Sequence, residues 1–299
     1  MIFCVFSFNR GRYLKNCITS IETCAPGHSI TIFDDNSNDS ETLQILDNYR
    51  QKHKVIQPRE NTKSRHHLGG LYGNMQRAFE EYNDADLVCY LQDDTQMVRL
   101  LNENDIAQIE RAFEQAPSLG FMNPCFIRGI NFTKGAEYSY KGDLGLYFRE
   151  RSHRSSGTYF SALLITKPKR LKASGWFFAP SEPANSQAAA KIFMPMGYLH
   201  APFAMWLPEV PAYRGKKKTL GLKLAEKKRK CGYYPFALLN ESEREKLKNR
   251  HESTLPIAEE FLQCIDYEPP KPWAYNPLTN TGWIKTLNQV EVSIRRLLK

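Results

Sequence analysis

Short apolar runs alternate with segments of helical periodicity through the first third of the chain. Residues 2–8 form a continuous apolar run that is typical of a strand buried on both faces of a parallel sheet. Three further strands are predicted at residues 29–33, 54–57 and 87–91. The segments between them repeat apolar residues at spacings of three and four, as Leu14, Ile18 and Ile21 do. Strands that alternate with helices form βαβ units. The pattern therefore predicts an α/β fold with a mostly parallel sheet flanked by helices.

The alternation weakens beyond residue 125, and fewer elements can be assigned there. Residues 157–166 suit a strand, and residues 186–194 suit a helix with Ser181, Glu182 and Pro183 at its start. Residues 240–264 indicate one or two helices that break near Pro256. An aromatic, proline-rich connection then leads to a last amphipathic helix at residues 284–298. The C-terminal part is therefore predicted to be mainly helical.

The net charge of +9 on 299 residues is concentrated in one segment. Residues 214–230 hold nine basic side chains and one acidic side chain. A solvated basic loop or helix explains such a run, and so does contact with an anionic membrane surface or an acidic acceptor. No nucleic-acid-binding motif accompanies the run, so a nucleic-acid partner is not expected.

Hydropathy and cysteine content point to a cytoplasmic protein. The mean hydropathy is −0.52 and no apolar run approaches 18 residues, which argues against a membrane-spanning helix. The run at residues 2–8 is too short for a signal-peptide core. The seven cysteines form no CxxC pair, which favours a reducing compartment and argues against a zinc site. We expect a cytoplasmic location, with peripheral contact at the inner face of the membrane as the further option.

Two pairs of adjacent carboxylates follow predicted strands. Asp34-Asp35 comes after the second strand, and Asp93-Asp94 comes after the fourth. Open α/β sheets bind ligands outside the carboxyl ends of their strands. Adjacent like charges raise each other's cost of ionisation unless a cation or a hydrogen-bond donor lies beside them. The sequence therefore predicts a ligand site at this edge of the sheet.

The sequence does not match the common calcium-binding and phosphate-binding motifs. An EF-hand loop that began at Asp34 would need glycine and glutamate where Asp39 and Ile45 stand. Neither GxGxxG nor GxxxxGK[ST] occurs, so no glycine-rich cradle for phosphates is present in the sequence. A bound diphosphate would then need a divalent cation, and Mg²⁺ or Mn²⁺ on Asp93 and Asp94 suits this need. A solvated turn is the structural alternative for the same pair.

Four motifs in order along residues 2–100 resemble the GT-A fold glycosyltransferases of family 2. They are FSFNR, TIFDDNSND, a basic loop before a helix, and CYLQDD. The resemblance implies a Rossmann-like GT-A domain at residues 1–210, divided into a nucleotide-binding half (1–100) and an acceptor half (101–210). A basic, helical C-terminal extension (211–299) follows. Each motif alone is weak, and the set is specific.

The resemblance also implies which residues bind the nucleotide. Phe8 would stack on a pyrimidine base, with core packing as the alternative, and Asn9 and Arg10 complete that motif. Asp35 would accept the N3–H of uracil or thymine, whereas Asp34 would hold the turn. Arg65, in the basic loop, would contact the nucleotide.

The DxD motif of the family corresponds to Gln92-Asp93-Asp94. Gln92 and Asp93 would contact the ribose, and Asp94 together with Asp93 would hold Mn²⁺ or Mg²⁺. Gln92 replaces the family's first aspartate and carries no charge. Strict metal dependence is therefore less well supported than in relatives with two outer aspartates.

Glu182 matches the family's general base in position. It follows a G-x-F segment at Gly175 to Phe177, and it is the only acidic residue between Arg151 and Leu207. A helix-terminal glutamate stabilised by the helix dipole is the structural alternative. Acceptor-side candidates are weaker and comprise His153, Arg154, Tyr159, Tyr138, Tyr140 and Tyr147.

The resulting prediction is a metal-assisted glycosyltransferase of hexosyl type, inverting, that uses a UDP- or dTDP-sugar donor. Its expected acceptor is a saccharide or a lipid-linked saccharide in surface polysaccharide or glycolipid assembly. A sugar-phosphate nucleotidyltransferase is one alternative, although FNRGRYL does not resemble the glycine- and lysine-rich first loop of that class. A non-catalytic nucleotide- or glycan-binding module is the other.

Overall fold

The computed structural model describes residues 1–58, 70–132, 137–150, 157–212 and 217–297. Its strands are β1 (Ile2–Ser7), β2 (Ser29–Asp34), β3 (Lys54–Ile56), β4 (Val88–Gln92), β5 (Thr95–Met97), β6 (Met122–Asn123), β7 (Tyr138–Lys141), β8 (Leu146–Arg149), β9 (Leu164–Thr166), β10 (Gly197–Leu199) and β11 (Ala204–Trp206). Its helices are α1 (Gly11–Cys24), α2 (Ser40–Tyr49), α3 (Gly70–Glu81), α4 (Glu103–Gln115), α5 (Gly129–Phe132), α6 (Pro168–Ala173), α7 (Glu182–Ile192), α8 (Leu220–Lys228), α9 (Glu241–Asn249), α10 (Ala258–Phe261) and α11 (Trp283–Leu297).

Nine strands form one central sheet in the order β3-β2-β1-β4-β9-β6-β10-β8-β7. The pairings β3-β2, β2-β1, β1-β4 and β6-β10 are parallel, whereas β8 and β9 run against all of their neighbours. Seven of the nine strands therefore share one direction. Helices flank the sheet, and the predicted α/β class with a mostly parallel sheet is confirmed.

Strand β1 lies between β2 and β4, and the strand register fixes the site. Ser7 pairs with Asp34 on one side, and Phe6 pairs with Gln92 on the other. Parallel strands end at the same edge of a sheet. Both acidic pairs therefore lie at one edge, on either side of the chain that leaves β1 at Phe8.

Alternate side chains of β1 enter two separate cores, one on each face of the sheet. Phe3 and Val5 join the larger apolar cluster, whereas Cys4 and Phe6 join the second. All four side chains are buried. A strand covered on both faces has a continuous apolar sequence, which explains why the sequence predicted β1 so closely.

The C-terminal region packs into the larger core and does not stand apart from it. Buried Phe236, Leu247 and Trp273 belong to the same apolar cluster as β1. Strands β5 and β11 form a second, two-stranded sheet near this region. The domain boundary at residue 210 stays a prediction, and no helix in the described ranges is long and apolar enough to cross a membrane.

Elements beyond residue 125 match the sequence less closely. The helix predicted at 186–194, with Ser181, Glu182 and Pro183 at its start, runs from Glu182 to Ile192. The Ser181 side chain caps it by accepting from the backbone N–H of Ala184. The strand predicted at 157–166 is confined to β9. The β7–β8 hairpin was not predicted, since β7 is half exposed and polar at alternate positions.

Candidate active site

The loop after β2 is built on the Asp34 carboxylate. Asp34 is fully buried and accepts hydrogen bonds from the Ser37 N–H (2.8 Å), the Ser37 hydroxyl (2.5 Å) and the Gln57 amide (2.9 Å). Asn36, at φ 59°, makes the left-handed turn of this loop. These bonds confirm the expectation that Asp34 holds the turn.

Asn9 ties the end of β1 to the same loop. Its side-chain oxygen accepts from the Asn38 N–H (2.7 Å) and the Asp39 N–H (3.1 Å), and its amide donates to Asn38 Oδ1 (2.8 Å). Its own N–H donates to the Ser37 hydroxyl (2.8 Å). Asn9 therefore organises the rim of the site through the loop.

Asp35 points from β2 toward the start of α3. Its Oδ1 accepts from the Gly70 N–H (3.0 Å) and lies 3.4 Å from the Asn74 side-chain amide. An acidic group at a helix N-terminus is stabilised by the backbone N–H groups there. Arg65, which the sequence assigned to the nucleotide, lies outside the described residues.

Arg10 binds the acidic pair at the end of β4. Its guanidinium donates to Asp94 Oδ2 at 2.6 Å, lies 3.6 Å from Asp93 Oδ1, and donates to the Pro211 carbonyl at 3.2 Å. The Phe8 N–H donates to Asp93 Oδ2 at 3.1 Å. The end of β1 thus carries a cation and a backbone donor to the two carboxylates.

Burial and charge pull the titration of these groups in opposite directions. Burial raises the pKa of Asp93, and the Asp94 carboxylate raises it further, whereas Arg10 lowers it. Burial by itself would lower the pKa of Arg10, but the two carboxylates outweigh it and hold that pKa above its ordinary value. Arg10 is therefore a permanent cation at the site.

One atom of this cluster is left without a partner. Asp94 Oδ1 is buried and has no hydrogen-bond partner within the described ranges. A buried carboxylate oxygen in this state is costly unless a ligand satisfies it. No group of three or more His, Cys, Asp or Glu side chains that could hold a metal ion occurs in the described part of the chain. The Asp93-Asp94 pair and the unpartnered Oδ1 still fit a cation such as Mg²⁺ or Mn²⁺, because such an ion needs only one or two carboxylates together with waters and substrate phosphates.

A cavity of about 300 Å³ opens beside the acidic pair. Gln92 and Asp94 line it from the end of β4, and Glu182 lines it from the start of α7. Arg128 and Tyr198 are also in its wall. The fold thus brings the predicted metal-binding residue and the predicted base to one cavity from distant parts of the sequence.

Glu182 is the first residue of α7 and is half-buried. Burial raises the pKa of Glu182 above its ordinary value, and the positive charge of Arg128 opposes that rise. A carboxylate with a raised pKa is better suited to accept a proton near neutral pH than an exposed one. Glu182 also raises the pKa values of Tyr72 and Tyr198, for which burial is the larger cause.

Arg128 is a site residue that the sequence did not single out. Its guanidinium lies 5.1 Å from the ring centre of Trp206 and 5.3 Å from that of Tyr275. No carboxylate within the described residues forms an ion pair with it. The run PCFIRGI held a weak signal, namely a lone arginine directly after an apolar stretch. Two aromatic faces thus hold a cation in the cavity wall.

The tyrosines proposed for the acceptor side differ in their surroundings. Tyr147 is buried and donates to the Glu252 carbonyl (2.7 Å), and Tyr140 packs against it. Tyr138 packs edge-on against Tyr198, whose ring lines the cavity. Tyr159 packs against the second core. His153 and Arg154 lie outside the described residues.

Residues 2–140, just under half of the chain, match the family model described as "Glycosyl transferase family 2". This part of the chain is similar to a family 2 glycosyltransferase domain. The mixed α/β fold with a large, mostly parallel central sheet agrees with the predicted GT-A class. The matched segment includes all of β1 to β6, and it therefore contains both acidic pairs and Arg128.

Solved structures with a similar fold include S. aureus TarS, residues 1–349, at 16% identity and a TM-score of 0.45 over 68% of this chain. That match spans 59% of the TarS fragment, which is less than two thirds of its length. The mannosyltransferase PcManGT from Pyrobaculum calidifontis, in complex with GDP-Man and Mn²⁺, shows 14% identity and a TM-score of 0.40 over 100% of this chain and 75% of its own. No curated protein matches the chain.

Proposed function

We propose that this chain transfers a sugar from a UDP- or dTDP-sugar to a hydroxyl group of a saccharide or lipid-linked saccharide, with inversion. The observation that carries the proposal is the shared cavity of Asp94 and Glu182. Glycosyl transfer needs charge stabilisation at the leaving diphosphate and a base at the acceptor hydroxyl. The cavity supplies an acidic metal-type end and a separate carboxylate with a raised pKa.

The nucleotide would lie over the end of β1. Phe8 is half-buried and outside both apolar cores, which supports stacking on a pyrimidine base. Such stacking contributes roughly 1–3 kcal/mol, by analogy with nucleic-acid binding. Asp35 uses Oδ1 for the start of α3, and its Oδ2 would accept the N3–H of the base. Gln92 and Asp93 would contact the ribose.

Asp94 Oδ1 and Asp93 are the ligands that we propose for Mn²⁺ or Mg²⁺. Such a cation, when bound, stabilises the negative charge of the leaving nucleoside diphosphate. Arg10 holds a positive charge beside Asp94, and Arg128 holds another in the cavity wall, and these two charges support binding of a diphosphate. Glu182 would take the proton of the acceptor hydroxyl as it attacks the anomeric carbon.

The rival functions have less support. A nucleotidyltransferase would approach phosphates with backbone N–H groups of its first loop, whereas the N–H groups of Asn9 and Phe8 donate to Ser37 and Asp93. A binding module would not need a second carboxylate with a raised pKa in the cavity that Asp94 lines. The sugar, the linkage and a role in surface polysaccharide or glycolipid assembly follow from the resemblance alone.

The test combines binding with turnover. Saturating UDP-sugar with Mn²⁺ should raise the Tm by about 5 °C, since ligand at 100 times its Kd adds about 2.7 kcal/mol. Glu182→Gln should keep this shift and lose transfer by about a thousandfold, within the range for a general base. Glu114→Gln, which removes an exposed carboxylate far from the cavity, is the matched control. Equal transfer by Glu182→Gln and the native chain would contradict the proposed base. If no nucleotide raised the Tm, the proposed function would be wrong.

A further inference from the structure

Helix α11 leaves an apolar stripe uncovered. The exposed fractions are 68% for Trp283, 51% for Val290, 50% for Ile294 and 86% for Leu297. Spacings of seven, four and three residues place these four side chains on one side of the helix. The adjacent flank contacts α8 and the residues just before it through Asn288, Glu291 and Arg295. Ile284 is the only buried residue of α11.

Helix α8 adds apolar side chains beside this stripe. Gly221 and Ala225 are buried, and Gly221 lies so close to the Asn288 backbone that a Cβ would be 2.6 Å from its nitrogen. Leu220 and Leu224 are 65% and 42% exposed on the adjoining flank.

The two helices run antiparallel, because Arg295 donates to the Lys217 carbonyl (2.7 Å) whereas Thr219 donates to Asn288 (2.5 Å). When each helix is viewed from its own N-terminus, its exposed apolar residues lie about a quarter turn from its contact flank, in the same direction of rotation. Antiparallel packing then puts Leu220 and Leu224 on the same side as the α11 stripe.

Basic side chains border this side of the helix pair, and the acidic residues of the two helices already form ion pairs. Exposed Lys227 and Lys228 flank the two leucines on the α8 helical wheel. The two acidic residues of these helices both bind cations: Glu226 accepts from Lys218 (2.8 Å) and Glu291 accepts from Arg295 (2.7 Å). The surface therefore combines apolar side chains with uncompensated positive charge.

We propose that this surface, the docking face, lies on an anionic membrane. It comprises Leu220, Leu224, Trp283, Val290, Ile294 and Leu297. An apolar stripe bordered by lysines, with a tryptophan near one end, suits the interface of a bilayer with anionic headgroups. Nine basic residues against one acid at 214–230 make anionic lipid the complementary partner.

A second copy of the chain is a poorer occupant of the docking face. Pairing two identical faces would bring Lys227 and Lys228 of each copy together, and like charges repel. Membrane docking is independent of the proposed reaction, since no residue of the docking face lines the cavity. Transfer to a soluble acceptor can therefore be intact whether or not docking occurs.

Vesicle co-sedimentation of the full chain tests the charge. Binding is expected to vesicles of equal parts phosphatidylglycerol and phosphatidylcholine, to weaken with added salt, and to be far weaker to phosphatidylcholine alone. Lys227→Gln with Lys228→Gln should weaken binding by roughly thirtyfold. The matched control is Lys285→Gln with Arg296→Gln, which removes two exposed charges from the far side of α11 and should retain binding. Equal losses in both double variants would overturn the proposal.

A second pair of variants tests the apolar stripe. Trp283→Gln with Ile294→Gln should weaken binding to the anionic vesicles by at least about tenfold. Leu100→Gln with Ile265→Gln removes two exposed apolar side chains elsewhere and should leave binding unchanged. Circular dichroism and Tm report whether each variant folds. A native chain that ignores anionic vesicles, or a dimer that the Trp283 variant dissociates, would overturn the proposal.

Discussion

The Arg10 guanidinium donates a 2.6 Å hydrogen bond to Asp94 Oδ2 at the mouth of the cavity. It supplies the cation that two adjacent carboxylates need, as the sequence led us to expect of that edge of the sheet. It leaves Asp94 Oδ1 without a partner in the described part of the chain. The acidic pair therefore has one cation beside it, and one oxygen of Asp94 remains for a ligand.

Replacing Arg10 should destabilise the fold, because Asp93 and Asp94 would then lie side by side without a cation. Arg10→Gln should lower the free energy of unfolding by about 3 kcal/mol in chelator, because two largely buried carboxylates lose their cation. The Tm should fall by about 6 °C. Mn²⁺ should recover part of this loss in the variant, while Lys15→Gln on the exposed flank of α1 serves as the control. No difference between chelator and Mn²⁺ would argue against a cation at Asp94.

The raised pKa of Glu182 should appear in the pH profile of transfer. A base acts only when deprotonated, so kcat/KM should fall as the pH drops through the pKa of Glu182. Burial raises that pKa above its ordinary value, so the fall should begin at a correspondingly higher pH. A profile that stays flat to the acid unfolding limit would rule out Glu182 as the titrating base.

Arg128 should affect both donor binding and that pH profile. Arg128→Gln removes a charge that lowers the pKa of Glu182, so the acidic limb should move to higher pH. It should also lower kcat/KM by roughly 10–100-fold, since a charged hydrogen bond contributes about 1.5–3 kcal/mol. Arg12→Gln is the matched control, because Arg12 also lies over an aromatic ring, at 5.0 Å from Tyr233, but outside the cavity. If the acidic limb of Arg128→Gln lay at the same pH as that of the native chain, Arg128 would not influence the pKa of Glu182.

Asp34 and Asp35 should respond differently to truncation. Asp34→Ala should cost about 3 kcal/mol of stability, because it strands the buried partners Ser37 and Gln57. Asp35→Ala should cost about 1 kcal/mol but weaken UDP binding by tenfold or more. Calorimetry of unfolding and of UDP binding measures both effects, with exposed Asp47→Ala as the control. If both variants lost stability and UDP binding to the same extent, Asp34 and Asp35 would not have the separate structural and binding roles proposed for them.

Much of the fold could be predicted from the apolar runs alone. Strands β1, β2 and β4 lie inside the sheet and are largely buried on both faces, so their sequences are mostly apolar. The short edge strand β3 is partly exposed, and its prediction depended on the alternation of strands and helices. The hairpin of β7 and β8 escaped prediction because its half-exposed strand mixes tyrosine, serine and lysine. The packing of Phe236 and Trp273 into the first core escaped as well, since a lone aromatic residue in a loop carries no periodic signal.

Some residues of the candidate site could likewise be predicted from the sequence, and others could not. Asp34, Asp35, Asp93 and Asp94 were predicted because strand ends are local features of the sequence, and β-sheet register turns them into neighbours. Glu182 was found by resemblance and by the scarcity of acids around it. Arg128 was not found, because a single arginine has meaning only once the fold places the rings of Trp206 and Tyr275 beside it.

The sequence by itself determined the α/β alternation, the acidic strand ends and the excess of basic charge at 214–230. These features depend on neighbouring residues, whose spacing fixes which face of a helix or strand they occupy. Only the tertiary structure decided that Asp94, Glu182 and Arg128 share a cavity, and that the α8–α11 pair exposes an apolar face beside lysines. Such proximity arises when distant segments bury their apolar faces together, and no local pattern encodes it.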